Sequence, residues 1–152
     1  MFEHDTRLEE ALAFSRFDRE SPFSTVGAYP FELEGQIWPS AEHYYQASKY
    51  AGRPYAQTIA QAPSAEEAYR LGNRWFKRKV PEWKSRRKLM MTRALYRIVN
   101  EHPAIKQALL DTEEQLLIET SLYGHYWGVG RDQRGENTLG KIWMDIRQKI
   151  TA

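Results

Sequence analysis

The stretch FELEGQIWPSAEHYYQASKY, residues 31–50, contains both kinds of regular structure that the chain uses. Phe31-Glu32-Leu33 and Gln36-Ile37-Trp38 flank Glu34-Gly35, which reads as a β-hairpin with glycine at its turn. Pro39-Ser40 ends the second strand, and Ser40 is placed to cap a helix running to about Tyr50. Toward the N-terminus, residues 13–17 (AFSRF) alternate like a short strand. Toward the C-terminus, helices dominate. Ser64 and Glu67 form a capping box ahead of Ala65, Ala68, Tyr69 and Leu71, and Gly72 supplies the stop. Met91, Ala94, Leu95 and Ile98 recur at helical spacing with Arg and Lys between them, which predicts a helix from Trp83 to Asn100. Pro103 fits the first turn of a short helix to Leu110. Residues 115–121 read as a strand, although Thr112 and Gln115 also resemble a helix cap. Gly124 to Gly135 carries four of the nine glycines and reads as a loop. Leu139, Ile142, Trp143, Ile146 and Ile150 define a closing amphipathic helix. The expected architecture is α+β: a single helix-rich domain over residues 12–152 with a small antiparallel sheet, after an N-terminal lead-in of residues 1–11.

Composition narrows the function. A chain of 152 residues, 41% hydrophobic and with net charge +2, builds one ordinary core and is not wholly disordered. No apolar run approaches the roughly 18–20 residues a spanning helix needs, and MFEHDTRLEE does not read as a secretory signal. There are no cysteines, hence no disulfide, thiol nucleophile or thiolate metal site, and four scattered histidines (His4, His43, His102, His125) lack ligand spacing. The expectation is a soluble cytoplasmic domain without a metal. Aromatics make up 13% of the chain, enough for a dense core or a stacking pocket. Between Arg74 and Arg97 there are ten basic residues and one acid, Glu82, so this segment is +9 and the remainder −7. Such a field attracts phosphates on a nucleotide or a nucleic acid; a solvated helix face is the plainer alternative.

Two constellations carry candidate chemistry. Glu42, Tyr45, Gln46 and Lys49 lie at i, i+3, i+4 and i+7 and share one helix stripe. Were that face buried, Lys49 would lose solvation and gain nucleophilicity, while Glu42 could shuttle protons. Spacing alone equally allows a solvent-facing stripe with an ordinary Glu–Lys pair. The second constellation is Tyr126-Trp127-Gly128-Val129-Gly130 with Gly135, Asn137 and Gly140. Its glycines would let backbone N–H groups approach an anion at a helix N-terminus, and Trp127 could stack on a ring. Glu119 lies just upstream, as a second carboxylate for the same cavity or as a strand-rim residue.

Taken in order, Pro22-Phe23-Ser24, Gly35, Trp38-Pro39-Ser40, Glu42-His43-Tyr44-Tyr45-Gln46-Ala47, Lys49, Ala68, Leu71-Gly72, Trp83, Leu116, Glu119, Tyr126-Trp127-Gly128 and Gly130 resemble one family. Gly135, Asn137, Leu139-Gly140-Lys141, Met144 and Arg147 complete the pattern. It is that of the NADAR (NAD- and ADP-ribose-related) family, also called YbiA-like, over roughly residues 12–150. The resemblance implies an N-glycosidase acting on ribosylated bases, with no cofactor and no metal. Some members hydrolyse phosphoribosylamino-pyrimidine intermediates of riboflavin biosynthesis; others remove ADP-ribose from guanine in nucleic acid. Carried onto this chain, Lys49 would form an imine at the sugar C1′ and Glu42 would act as general acid–base. Direct displacement, stabilised by Glu42 or Glu119, is the alternative route. Gln46 and Asn137 would hold sugar hydroxyls and Trp127 would wall the base. Ser24, Trp38, Tyr45, Trp83 and Gly128 would line the ligand, with Arg86 drawn from the basic segment. The chain departs from the pattern at Thr25-Val26, where Asn-Phe is usual, and at Asn73, where arginine commonly follows the glycine. Gly124 replaces an acid and Val129 replaces an aspartate found in some members. These departures bear on substrate choice. A non-catalytic nucleic-acid-binding module and a silent ADP-ribose or NAD sensor are the competing classes.

Overall fold

The computed structural model describes residues 10–122 and 124–152. The lead-in expected for residues 1–11, with His4, therefore falls almost wholly outside the described residues. The chain gathers into two compact units, one made of residues 25–103 and the other of the segments up to Ser24 and from Ala104 onward. No Gly/Ser-rich stretch marks either boundary in the sequence. Among the described residues no helix is long and apolar enough to cross a membrane.

In the unit of residues 25–103, β2 (Phe31–Leu33) and β3 (Gln36–Trp38) form the expected antiparallel hairpin, with Phe31 opposite Trp38. Its turn residues Glu34 (φ 56°) and Gly35 (φ 79°) both adopt left-handed backbone, the conformation whose twist matches a two-residue hairpin. Alternation then sends Phe31 and Trp38 inward and leaves Ile37 exposed. Both inward rings meet Tyr44 edge-on, at 6.2 and 5.1 Å. Tyr44 belongs to α1 (Ala41–Ser48), whose residues 41–47 are all buried. Around it stand α2 (Pro54–Ala60), α3 (Ala65–Gly72) and α4 (Trp83–Glu101). The sequence reading did not include α2, although Pro54 at its first turn suits a helix start. The apolar stripe expected of α4 is present: Met91, Ala94, Leu95 and Ile98 are buried, each contributing on the order of 1–3 kcal/mol by leaving water.

The other unit holds β1 (Leu12–Phe14), α5 (Pro103–Asp111, entering from the first unit), β4 (Leu117–Glu119) and α6 (Thr138–Thr151). The strands expected over 13–17 and 115–121 both form, but shorter. They pair with each other in parallel, Leu12 opposite Leu117 and Phe14 opposite Glu119. Among the described residues, the small sheet content is thus an antiparallel hairpin plus a separate parallel pair. A parallel pair needs a long crossover, and about a hundred residues lie between these strands. On α6, Leu139, Ile142, Trp143 and Ile146 are buried as expected, and Trp143 packs edge-on against Phe23 at 5.4 Å while its indole N–H donates to the Phe23 carbonyl.

Candidate functional site

The polar side chains of α1 are placed from its cap onward. Ser40 Oγ accepts from the His43 backbone N–H (3.2 Å) and bonds His43 Nδ1 (2.7 Å). His43 Nε2 lies 3.0 Å from the Ala62 carbonyl, which can only accept, so Nε2 carries the proton and Nδ1 accepts from Ser40. Burial pushes the His43 pKa below its ordinary value, and the ring is a neutral fastener rather than a titrating catalyst. Tyr44 donates to Glu34 Oε1 at 3.0 Å, and Arg93 pairs with the same oxygen at 2.7 Å. Burial, then the Glu34 charge, push the Tyr44 phenol up to about 12.

Glu42 is fully buried. Thr25 Oγ1 donates to its Oε2 at 2.5 Å, and Gln46 Nε2, one turn along, donates to Oε1 at 2.7 Å. The Glu42 N–H donates to the Thr25 carbonyl at 2.9 Å, so Thr25 grips both backbone and side chain. Lys49, 4% exposed, ends the stripe. Its Nζ donates to the Gly72 carbonyl (3.1 Å) and to Asn73 Oδ1 (3.3 Å), and lies 5.4 Å from the Tyr45 ring centroid. Tyr45 in turn meets Trp83 at 5.3 Å. Glu42, Tyr45, Gln46 and Lys49 therefore form one buried stripe, and the solvent-facing alternative is excluded. Burying an ionised carboxylate or amine costs several kcal/mol per ion, offset here by these hydrogen bonds.

The close approach that makes this possible depends on Gly72. A Cβ there would sit 2.0 Å from Gln46 Oε1 and 2.7 Å from Gln46 Cβ. Without a side chain, the end of α3 presses onto α1 and turns the Gly72 carbonyl toward Lys49 Nζ and the Tyr50 hydroxyl (3.3 Å). Trp38 is placed elsewhere: its indole N–H donates to the Leu33 carbonyl and its ring packs on Tyr44. Arg86 is exposed on α4.

The second cluster, in the unit of the chain ends, centres on Glu119, also fully buried. Its carboxylate accepts from the Arg16 N–H (2.7 Å), the Ser121 N–H (2.9 Å) and the Ser121 hydroxyl. Asn137, left-handed at φ 55°, bridges the strand below: Oδ1 accepts from the Glu119 N–H (3.0 Å) and Nδ2 donates to the Leu117 carbonyl (2.9 Å). Both ends of that amide are thus engaged by β4. Gly128 lies against Glu119, where a Cβ would fall 2.1 Å from Oε1. In the expected anion cradle, the N–H groups at the helix start are already engaged. The N–H groups of Asn137, Thr138 and Leu139 donate to the carbonyls of Gly128, Tyr126 and Trp127, so the loop itself caps α6. Trp127 is half-buried, with the buried Arg16 guanidinium 5.6 Å from its ring centroid. Ser24 is buried in the turn where its N–H donates to Ser21.

Thr25, Asn73 and Arg16 are the residues that sequence reasoning passed over. Thr25 and Asn73 were visible only as departures from a family pattern, and their partners lie 17 and 24 residues away. Among the described residues no three His, Asp or Glu side chains gather as a metal site requires.

The chain belongs to the NADAR domain family, whose model matches residues 1–151. It is 31% identical over 137 residues to N-glycosidase YbiA of Escherichia coli (strain K12), covering 90% of this chain and 86% of that protein. It is 38% identical over 153 residues to the chloroplastic riboflavin biosynthesis protein PYRR of Zea mays, covering 90% of this chain but 24% of that longer protein. The NMR structure of the E. coli protein YbiA superimposes with a TM-score of 0.84 at 30% identity, covering 93% of this chain and 86% of that one. The α+β fold is therefore that of YbiA, and the chain is placed among hydrolases that act on N-glycosyl bonds.

Proposed function

We propose that this chain hydrolyses the C1′–N bond of a phosphorylated ribosylamino-base compound, of the phosphoribosylamino-pyrimidine kind that precedes riboflavin. The observation that carries the proposal is a carboxylate and an amine buried on one stripe of α1, the carboxylate bonded by Gln46 and the amine set beside the Tyr45 ring. The relative named for riboflavin biosynthesis supports the substrate class. Glu42, which takes up a proton as the substrate binds, delivers it to the ring oxygen as the glycosylamine opens to an imine at C1′. The Lys49 amine adds to C1′, and the base amine departs with a proton, leaving C1′ double-bonded to Lys49 Nζ. Water then adds with Glu42 as base, releasing ribose 5-phosphate as its aldehyde and restoring the lysine. A phosphorylated sugar is held by its charge in the compartment that makes it, so the proposal also places the chain in the cytoplasm.

The test is a mass-spectrometric product assay on the purified protein, with a parallel tube containing borohydride. Release of ribose 5-phosphate with a reduced sugar adduct on Lys49 is expected. Turnover without the adduct would replace the imine with direct displacement; no turnover would remove the substrate class.

A second substrate, ADP-ribosylated guanine in nucleic acid, is favoured by one specific feature. Trp75 is 93% exposed and Phe76 58% exposed, between Arg74 and the run Lys77-Arg78-Lys79. Exposed rings among cations suit stacked bases and phosphates. Its sign is oligonucleotide affinity that weakens steeply with salt and is lost in Trp75→Ala.

A further inference from the structure

We propose that Asn73 is a positioning residue for Lys49: with the Gly72 carbonyl it holds the amine at the C-terminal end of α3 as an ammonium, and so sets the pH at which Lys49 becomes free to act. The inference deepens the reading of Lys49 as nucleophile and rests on it for its catalytic meaning.

The geometry is specific. Asn73 closes α3, and its Nδ2 donates to the Tyr69 carbonyl at 2.7 Å, one turn back. That bond fixes which way the amide faces and leaves Oδ1 directed at Lys49 Nζ, 3.3 Å away. Of the last carbonyls of α3, that of Arg70 accepts from the Asn73 backbone N–H, that of Leu71 from Tyr55 and that of Gly72 also from Tyr50. Lys49 thus meets two oxygen acceptors at the negative end of a helix dipole, each favouring the charged form. The chain that follows Asn73 returns to the same point, where the Val80 N–H donates to the Lys49 carbonyl at 2.7 Å. Backbone and side chain of Lys49 are therefore both held by the segment 72–80. A nucleophilic amine stored as an ammonium is inert until an acceptor lets go or its proton leaves. Asn73 is the side-chain member of the pair and the one a substitution can remove.

Among the described residues, the charged and titratable groups near this point include Tyr45 on α1, Tyr50 and Tyr55 after it, and Glu42 through Gln46. Glu67 and Arg70 pair with each other on α3, Arg74 adjoins Asn73, and Lys77 lies over Tyr55. Changing Asn73 removes none of these side chains, so opposite shifts of the Lys49 titration in two variants report the group at position 73.

The experiment is an NMR titration of protein labelled with 13C at lysine Cε, the Lys49 signal assigned with Lys49→Arg. Asn73→Ala, which deletes the acceptor, should lower the Lys49 midpoint by about half to one pH unit. Asn73→Asp, which puts a negative charge beside the ammonium, should raise it by about one unit or more. The acid limb of the kcat profile should move in the same two directions. General loosening of the fold would move both variants the same way, so opposite shifts support the proposal and a wild-type midpoint in both overturns it. The titration does not depend on turnover. Full activity in Lys49→Ala would remove the nucleophile reading and leave the role of Asn73 in holding the amine standing.

Discussion

Replacing Glu42 with glutamine separates chemistry from stability at the buried stripe. The carboxylate accepts from Thr25 Oγ1 and Gln46 Nε2, one on each oxygen. Glutamine keeps the shape and turns one oxygen into an NH2 group. If that group faces Thr25, the hydroxyl can rotate and accept. If it faces Gln46, the Gln46 amide can turn over, because its Oε1 has no hydrogen-bond partner among the described residues. Each bond then falls from charge-assisted to neutral strength, a loss of about 1 kcal/mol apiece. Removing a buried charge returns energy of at least that order. The net change should lie within about 1–2 kcal/mol, and at about 2–4 °C per kcal/mol for a chain of this size the melting temperature should stay within about 8 °C of wild type. The rate should behave differently. An amide cannot transfer the proton, so kcat should fall by about two to four orders of magnitude, equivalent to about 2.7–5.5 kcal/mol in the barrier. The assay pairs thermal melts with mass-spectrometric release of ribose 5-phosphate from a phosphoribosylamino-pyrimidine. A rate within tenfold of wild type in a folded variant would refute the assignment of Glu42 as acid–base.

The same substitution at Glu119 should do the opposite. Both of its oxygens accept backbone N–H donors, so an NH2 at either position faces a donor, the buried one of Arg16 or the half-buried one of Ser121, and strands it. Glu119→Gln should cost about 1–3 kcal/mol, read by thermal or urea melts, and unchanged stability would return Glu119 to the candidate catalytic groups. Gly72→Ala drives a methyl group into Gln46, and a loss of about 1–3 kcal/mol together with lowered activity is expected; a wild-type melt would show that α3 can shift away from α1. His43 supplies a pH dependence. Burial holds its folded pKa below the ordinary 6.5, so the unfolded chain takes up the proton first as pH falls. The contribution is complete above about pH 6.5 and drains away as pH drops toward the folded value. Melts of wild type and His43→Gln at pH 5 and pH 7.5 should show a larger acid destabilisation in the wild type; equal slopes would assign the effect to other groups.

What was legible in the sequence was whatever local physics decides. Glu34-Gly35 gave the hairpin because two left-handed residues make its turn, and Ser40 and Ser64 marked helix starts because their hydroxyls reach an N–H three residues on. The spacing of Glu42, Tyr45, Gln46 and Lys49 was equally plain, since helical pitch alone puts them on one stripe. Whether that stripe met water or the core was not. Its burial comes from α2, α3, α4 and the hairpin closing on α1, and only the tertiary structure assembles these. The parallel pairing of β1 with β4 had the same origin, because register between strands a hundred residues apart leaves no local trace. The glycine-rich loop shows the limit most sharply. Its composition promised free N–H groups for an anion, but whether an N–H is free depends on how the loop folds back, and here those of Asn137, Thr138 and Leu139 at the start of α6 reach carbonyls of the loop itself. Sequence fixed the identities and phases of the reactive side chains, while the packing of helices onto α1 decided their solvation, their partners and hence what chemistry they can perform.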